Sequence, residues 1–256
     1  NDEIPRLPAS NQKLFSSAYV LSKYKLNNNL KTSLLKKNKN NYYLIGQGDP
    51  DLNYEKIIEL ISNIRENKII NFYIVEINSK LRWPKGWTNT DKLYEYGSPI
   101  TSLALESNHN KYKDIYALKN FIKNYLKNRF LTSNVNVNFF DSEKKFYLKN
   151  MTEINKIYST PILSLLTLTN SESHNFTAES LFKNASNTWN DNNYIKLKRW
   201  LENKGLPATN AYFADASGLS RRNKITTKLV VLFLDKMRYF NDFKAYQSTL
   251  SITGVR

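Results

Sequence analysis

Apolar residues recur at helical spacing from Leu14 through Phe15, Ala18, Tyr19 and Leu21, behind a Pro8-Ala9 entry, and predict a helix over residues 10 to 25. A polar Lys/Asn stretch, 26 to 41, reads as a loop with a short strand or helical turn around Leu30 to Leu35. Tyr42 to Gly46 reads as a strand ending in the turn signal Gly46-Gln47-Gly48-Asp49-Pro50. Ile57, Ile58, Leu60, Ile61 and Ile64 form a helical stripe within 52 to 65, and Ile69 to Ile77 is β-rich. That strand, helix, strand order predicts an α/β unit. Residues 82 to 108 are irregular and aromatic, either a packed pocket wall or a surface loop pinned by Trp83 and Trp87. A helix is expected over Tyr112 to Phe130. A strand pair is expected at Val135 to Phe140 and Lys145 to Leu148, turning at Asp141-Ser142-Glu143. From Ser159 onward the periodicity is helical: 161 to 168, 176 to 185, 194 to 204 closed by Gly205, and 226 to 239, with a loop at 211 to 222.

Composition narrows the class. The chain has 256 residues, 41% hydrophobic and 13% aromatic, which fits a globular protein with a sizeable core. The absence of cysteine excludes disulfides and thiolate metal sites. No run approaches the ~20 apolar residues of a membrane-spanning helix. The first residue is Asn1 and no signal peptide is visible. A net charge of +16 raises nucleic acid as a partner. The lysines are scattered, however, with one tight block at Lys36-Lys37-Asn38-Lys39, so peripheral attraction to an anionic wall or membrane surface fits equally well.

Two short motifs carry candidate chemistry. Ser10 and Lys13 stand three apart on the first predicted helix, so hydroxyl and amine share a face. A serine becomes a nucleophile beside a base, and lysine serves as that base when burial lowers its pKa. The same spacing recurs at Ser33/Lys36, Ser142/Lys145 and Ser180/Lys183, and the plain reading of any one instance is a solvated helix face; only Ser10 has the Pro-Ala entry and a long apolar helix behind it. The second motif is Ser173-His174-Asn175, between two helices. There a hydroxyl can relay a proton and an amide can hold a carbonyl or orient a lysine, or else Ser173 or Asn175 is simply the N-cap of the next helix.

Ser-x-x-Lys followed by Ser-x-Asn belongs to the motif set of penicillin-binding proteins and class A β-lactamases. Pro8 to Leu14, Leu44 to Leu52, Trp83 to Leu103, Asn170 to Glu179 and Asp215 to Thr226 together resemble the D-alanyl-D-alanine carboxypeptidase/endopeptidase family, the class C low-molecular-mass penicillin-binding proteins. The resemblance implies an α/β transpeptidase-like domain, a sheet flanked by helices, from 1–40 and 151–256, interrupted by a mixed α/β insertion over 41–150. It implies Ser10 as acyl-enzyme nucleophile, Lys13 as general base, Ser173 as proton shuttle and Asn175 as ligand of the substrate amide. Asp91 and Tyr96 match loop positions that line a pocket for the peptide stem. The implied substrate is the peptidoglycan stem peptide, with β-lactam antibiotics as trapping inhibitors. No cofactor, metal or nucleic acid is implied, and the location is periplasmic or otherwise extracytoplasmic.

Two departures stand out. His174 occupies a position where the family often has Asp, and His109 is given no role. No Lys-Thr-Gly or Lys-Ser-Gly follows Ser173: Lys31-Thr32-Ser33 comes too early, and Ile252-Thr253-Gly254 is a decoy. That strand supplies a cation and an oxyanion-hole N–H, whose loss typically costs ~10²–10³ in rate. The chain is therefore expected to be an interior fragment, inactive or barely active, of an active longer protein. The alternatives are a degenerate cell-wall peptide binder of the same fold and a basic nucleic-acid-binding protein.

Overall fold

A computed structural model describes residues 2–65, 69–109, 115–131, 134–141, 150–189 and 194–252. The expected strand at Lys145 to Leu148, most of its turn, the Ser142/Lys145 pair, the first three residues of the helix begun at Tyr112, and Thr253-Gly254 lie outside the described residues. The chain forms two compact units. One comprises Asn1–Asn28, Trp83–Gly97 and Thr160–Arg256; the other comprises Asn29–Arg82 and Ser98–Ser159.

The second unit is built on a five-stranded mixed sheet. Its strands are β1 (Asn29–Lys36), β2 (Asn41–Ile45), β3 (Ile70–Glu76), β4 (Val135–Asp141) and β5 (Thr152–Pro161), in the order β4-β3-β2-β1-β5. β1 and β2 are antiparallel, whereas β2, β3 and β4 run parallel. Parallel neighbours need crossovers, supplied by α2 (Tyr54–Ile61) and α3 (Ile115–Phe130). Asn53 caps α2 by accepting the Lys56 N–H at 2.9 Å. Alternation along the strands sends Tyr42, Leu44, Phe72 and Ile74 into a core with Ile57, Leu60, Leu118 and Ile122. The opposite face carries Tyr43 stacked on Tyr73 with ring centroids 4.6 Å apart.

The polar stretch 26 to 41 thus holds a full strand and a hairpin turn, in which the Asn38 carboxamide oxygen accepts the N–H groups of Asn40 and Asn41 at 3.0 Å each. The units do not divide at residues 40 and 151. Ladder pairing draws β1 and β5 into the sheet unit, and Trp83–Gly97 returns to the other one.

The first unit is helical: α1 (Gln12–Leu21), α4 (Ile162–Asn170), α5 (Asn175–Ala185), α6 (Tyr194–Asn203), α7 (Thr227–Met237) and α8 (Phe243–Ser248). α1 is its axis, with every residue but Leu14 buried. Phe15 packs on Phe213 and Phe233, and Tyr19 packs on Phe182 and edge-on against Trp200. Strand pairing in this unit, among the described residues, is confined to the bridges Arg6–Ile225 and Tyr212–Lys224, so the sheet that helices flank is that of the second unit.

Candidate active site

Ser10 sits in a 3-10 turn, Ala9–Asn11, immediately ahead of α1, and Lys13 occupies the first turn of α1. Burial divides the pair. Ser10 is exposed, while Lys13 is 2% exposed. The Lys13 amine donates to Ser10 Oγ at 3.3 Å, Asn175 Oδ1 at 2.6 Å and the Ser217 carbonyl at 2.7 Å. Burial lowers its pKa from 10.5 to about 8, against the opposing attraction of Asp215 and Glu179. About half of the amine is therefore neutral at pH 8, and about a tenth at pH 7.

Ser173 Oγ donates to Ser10 Oγ at 2.8 Å. Ser173 lies on the turn between α4 and α5 at φ +56°, a region costly for a residue with a Cβ. The turn is tied down from both sides. Asn170 accepts from Ser17 at 2.8 Å and donates to Thr249 at 2.7 Å, while the His174 N–H donates to the Leu168 carbonyl at 3.3 Å. The cap of α5 is His174, rather than Ser173 or Asn175. Its Nδ1 accepts the Thr177 N–H at 3.4 Å and lies 2.6 Å from Thr177 Oγ1. A ring nitrogen can do what an Asp carboxylate does at an N-cap, so the flanking Ser173 and Asn175 keep their side chains free to face Ser10 and Lys13.

A third segment closes the site, the Asp215-Ala216-Ser217-Gly218 turn. Asp215 accepts from Gly218 N at 2.8 Å, Ser220 N at 2.5 Å, Asn223 Nδ2 at 2.7 Å and the Trp87 indole at 2.9 Å. Gly218 has φ +87°, and a Cβ there would stand 1.8 Å from the Ala9 carbonyl oxygen. Only glycine lets this turn reach the backbone just ahead of Ser10.

The loop residues meet the site differently from one another. Asn175 Nδ2 donates to the Tyr96 backbone carbonyl at 3.0 Å, and the Tyr96 ring stacks on Tyr94 at the surface. Asp91 Oδ2 accepts from Thr88 N, Thr88 Oγ1 and Arg221 at 2.8, 2.7 and 3.3 Å. Burial raises the Asp91 pKa, but Thr88 and Arg221 outweigh it and hold the carboxyl below the ordinary range. The two other Ser-x-x-Lys spacings among the described residues assemble nothing comparable. Ser33 lies on a strand, and Ser180 and Lys183 bond to the Thr177 and Trp189 carbonyls. The roles of Ser217, Asp215, Glu179 and Trp87 around Lys13 were not legible beforehand, although the glycine-bearing turn at 215–218 was the signal that could have found them.

The arrangement suits nucleophilic acyl transfer: an exposed hydroxyl, a buried amine with a lowered pKa against it, and a second hydroxyl bridging outward. The sequence model of the D-Ala-D-Ala carboxypeptidase 3 (S13) family matches residues 1–120 and 112–256. No curated protein matches the sequence. Among solved structures, penicillin binding protein 4 (dacB) of Haemophilus influenzae aligns over 100% of this chain and 75% of its own, at 19% identity and a TM-score of 0.72. The same protein complexed with a novel β-lactam aligns at 19% identity over 99% of this chain and 73% of its own, with a TM-score of 0.68. The predatory peptidoglycan endopeptidase Bd3459 of Bdellovibrio bacteriovorus aligns over 97% and 65%, at 14% identity and a TM-score of 0.57. Likeness at these identities establishes the shared fold.

Proposed function

The chain belongs to the D-Ala-D-Ala carboxypeptidase 3 (S13) family, and from that premise we propose that its site carries out serine acyl transfer on peptidoglycan stem peptides, outside the cytoplasm. The observation that carries the reading is the contact of Ser10 Oγ with both the Lys13 amine, at 3.3 Å, and Ser173 Oγ, at 2.8 Å.

In this reading neutral Lys13 takes the Ser10 hydroxyl proton as Oγ attacks the carbonyl carbon of the D-Ala–D-Ala bond. The tetrahedral intermediate collapses when a proton passes from Lys13 by way of Ser173 to the leaving amine. That releases D-alanine and leaves an ester on Ser10. Water, deprotonated by the same lysine, hydrolyses the ester and restores the hydroxyl. A cross-bridge whose scissile carbonyl also belongs to D-alanine is cut by the same steps. A β-lactam ring opens by the first step but holds its leaving amine tethered, which traps the ester. Asn175 binds the substrate amide with the second N–H of Nδ2, the first being given to the Tyr96 carbonyl, and Asp91 and Tyr96 line the approach for the peptide stem.

The test is intact-protein mass spectrometry of the 256-residue chain incubated with millimolar benzylpenicillin. One covalent adduct is expected, on the Ser10 peptide and absent from Ser10→Ala. It should form slowly, because no Lys-Thr-Gly follows Ser173 in this chain. No adduct after a day, or an adduct that survives Ser10→Ala, overturns the reading.

A further inference from the structure

Among the buried acids that the chemistry above leaves unused, one stands beside the lysine. Glu179, on α5, is 0% exposed. Its Oε1 accepts the N–H groups of Ala216 and Ser217 at 2.8 Å each, and its Oε2 accepts the Tyr194 hydroxyl at 2.7 Å. Both backbone groups belong to the turn whose next carbonyl, that of Ser217, receives the Lys13 amine at 2.7 Å. The turn has no helix or strand ladder to define it, being held by the Glu179 and Asp215 carboxylates and by the close approach of Gly218 to Ala9.

We propose that Glu179 is a positioning residue for Lys13: by receiving the Ala216 and Ser217 N–H groups it fixes the Ser217 carbonyl against the lysine amine. The charged groups of this pocket form a short chain. Lys13 faces Asp215 and Glu179, while Glu179 is flanked by Asp215 on the turn, Lys183 one helical turn further along α5, and Tyr194 on α6. Burial and then Asp215 raise Glu179 to about 7, with Tyr194, Lys183 and Ser217 opposing. Near pH 8 it is therefore largely anionic and attracts the lysine's proton. Glu179 thus acts on Lys13 twice, through the turn it anchors and through its charge, and the two effects pull apart in variants.

The inference rests on Lys13 being the base. Its test needs no turnover, so a chain that fails to react with penicillin still answers it and the two failures stay distinct. The chain is labelled with 13C at lysine Cε, the Lys13 signal is assigned by its loss in Lys13→Met, and its pH midpoint is read by NMR. The unsubstituted chain should titrate near 8. Glu179→Gln keeps an oxygen for both N–H groups but removes the charge, so the midpoint should fall by about one pH unit. Glu179→Ala leaves both N–H groups without their acceptor; the turn loosens, water reaches the amine, and the midpoint should rise toward the ordinary ~10.4 of exposed lysine. If the alanine variant does not fold, Glu179→Asp, too short to span both N–H groups, takes its place with the same upward direction. Opposite movements support the proposal. A fall in both variants, the mark of charge without positioning, overturns it, as does a midpoint unmoved in either.

Discussion

Burying the Lys13 amine leaves a thermodynamic signature that Lys13→Met exposes. In the folded chain burial takes Lys13 from 10.5 to about 8, whereas in the unfolded chain it titrates near ~10.4. Below pH 8 both states hold the proton and the lysine's contribution to stability is flat. Between pH 8 and 10.5 the unfolded state binds more protons than the folded state, so the free energy of unfolding rises with pH. The difference between 10.5 and about 8 corresponds to about 3 kcal/mol over that window. Methionine matches the lysine stem in length and does not titrate. Urea unfolding of both proteins, followed by tryptophan fluorescence from pH 7 to 10.5, isolates the effect, because the other titrations cancel in the difference. The unsubstituted chain should gain about 3 kcal/mol on the variant across the window. The same proton governs reaction, so acylation by penicillin should fall about tenfold per pH unit below 8. A stability difference that stays constant within about 0.5 kcal/mol would refute the claim that this amine is buried and poised.

Other perturbations separate geometry from charge. Asn175→Asp sets an anion 2.6 Å from the Lys13 amine; the acid limb of the acylation profile should move up by about one pH unit or more, read from rate against pH. Ser173→Gly removes the hydroxyl 2.8 Å from Ser10 but relieves φ +56°, so urea unfolding should show a gain of about 1 kcal/mol while acylation drops at least about tenfold. Gly218→Ala drives a Cβ to 1.8 Å from the Ala9 oxygen at φ +87°; a loss of about 3 kcal/mol or more, with acylation abolished, is expected from unfolding and adduct formation. An unchanged midpoint in that variant would show that the turn does not touch the Ala9 backbone as described.

Much was legible in the chain itself. The period of 3.6 marked α1, α2, α3, α5, α6 and α7 because each buries one stripe or all of its surface, and β-branched or aromatic runs marked β2, β3 and β4. Ser10 and Lys13 needed only helical spacing, since residues three apart on one helix are neighbours whatever surrounds them. Longer-range features were not legible. β1 showed in its Lys/Asn-rich stretch only as a short strand or helical turn around Leu30 to Leu35, because pairing between β2 and β5 rather than its own pattern defines it, and β5, with few buried side chains, carried no clear alternation. The Pro-Ala entry and the apolar helix behind it already set Ser10 apart from the other Ser-x-x-Lys spacings, but what surrounds its lysine came only from packing.

Local periodicity is written by neighbours along the chain, so sequence alone determined most of the helices, the strand-helix-strand order of the α/β unit and the Ser10–Lys13 pairing. The depressed Lys13 pKa, by contrast, comes from burial by segments some 160 to 200 positions away, those of Asn175 and Ser217 among them, against the attraction of Asp215 and Glu179. Desolvation and hydrogen bonding depend on distance in space, and tertiary structure alone decided that the amine beside Ser10 is buried and that Ser173 reaches the same hydroxyl.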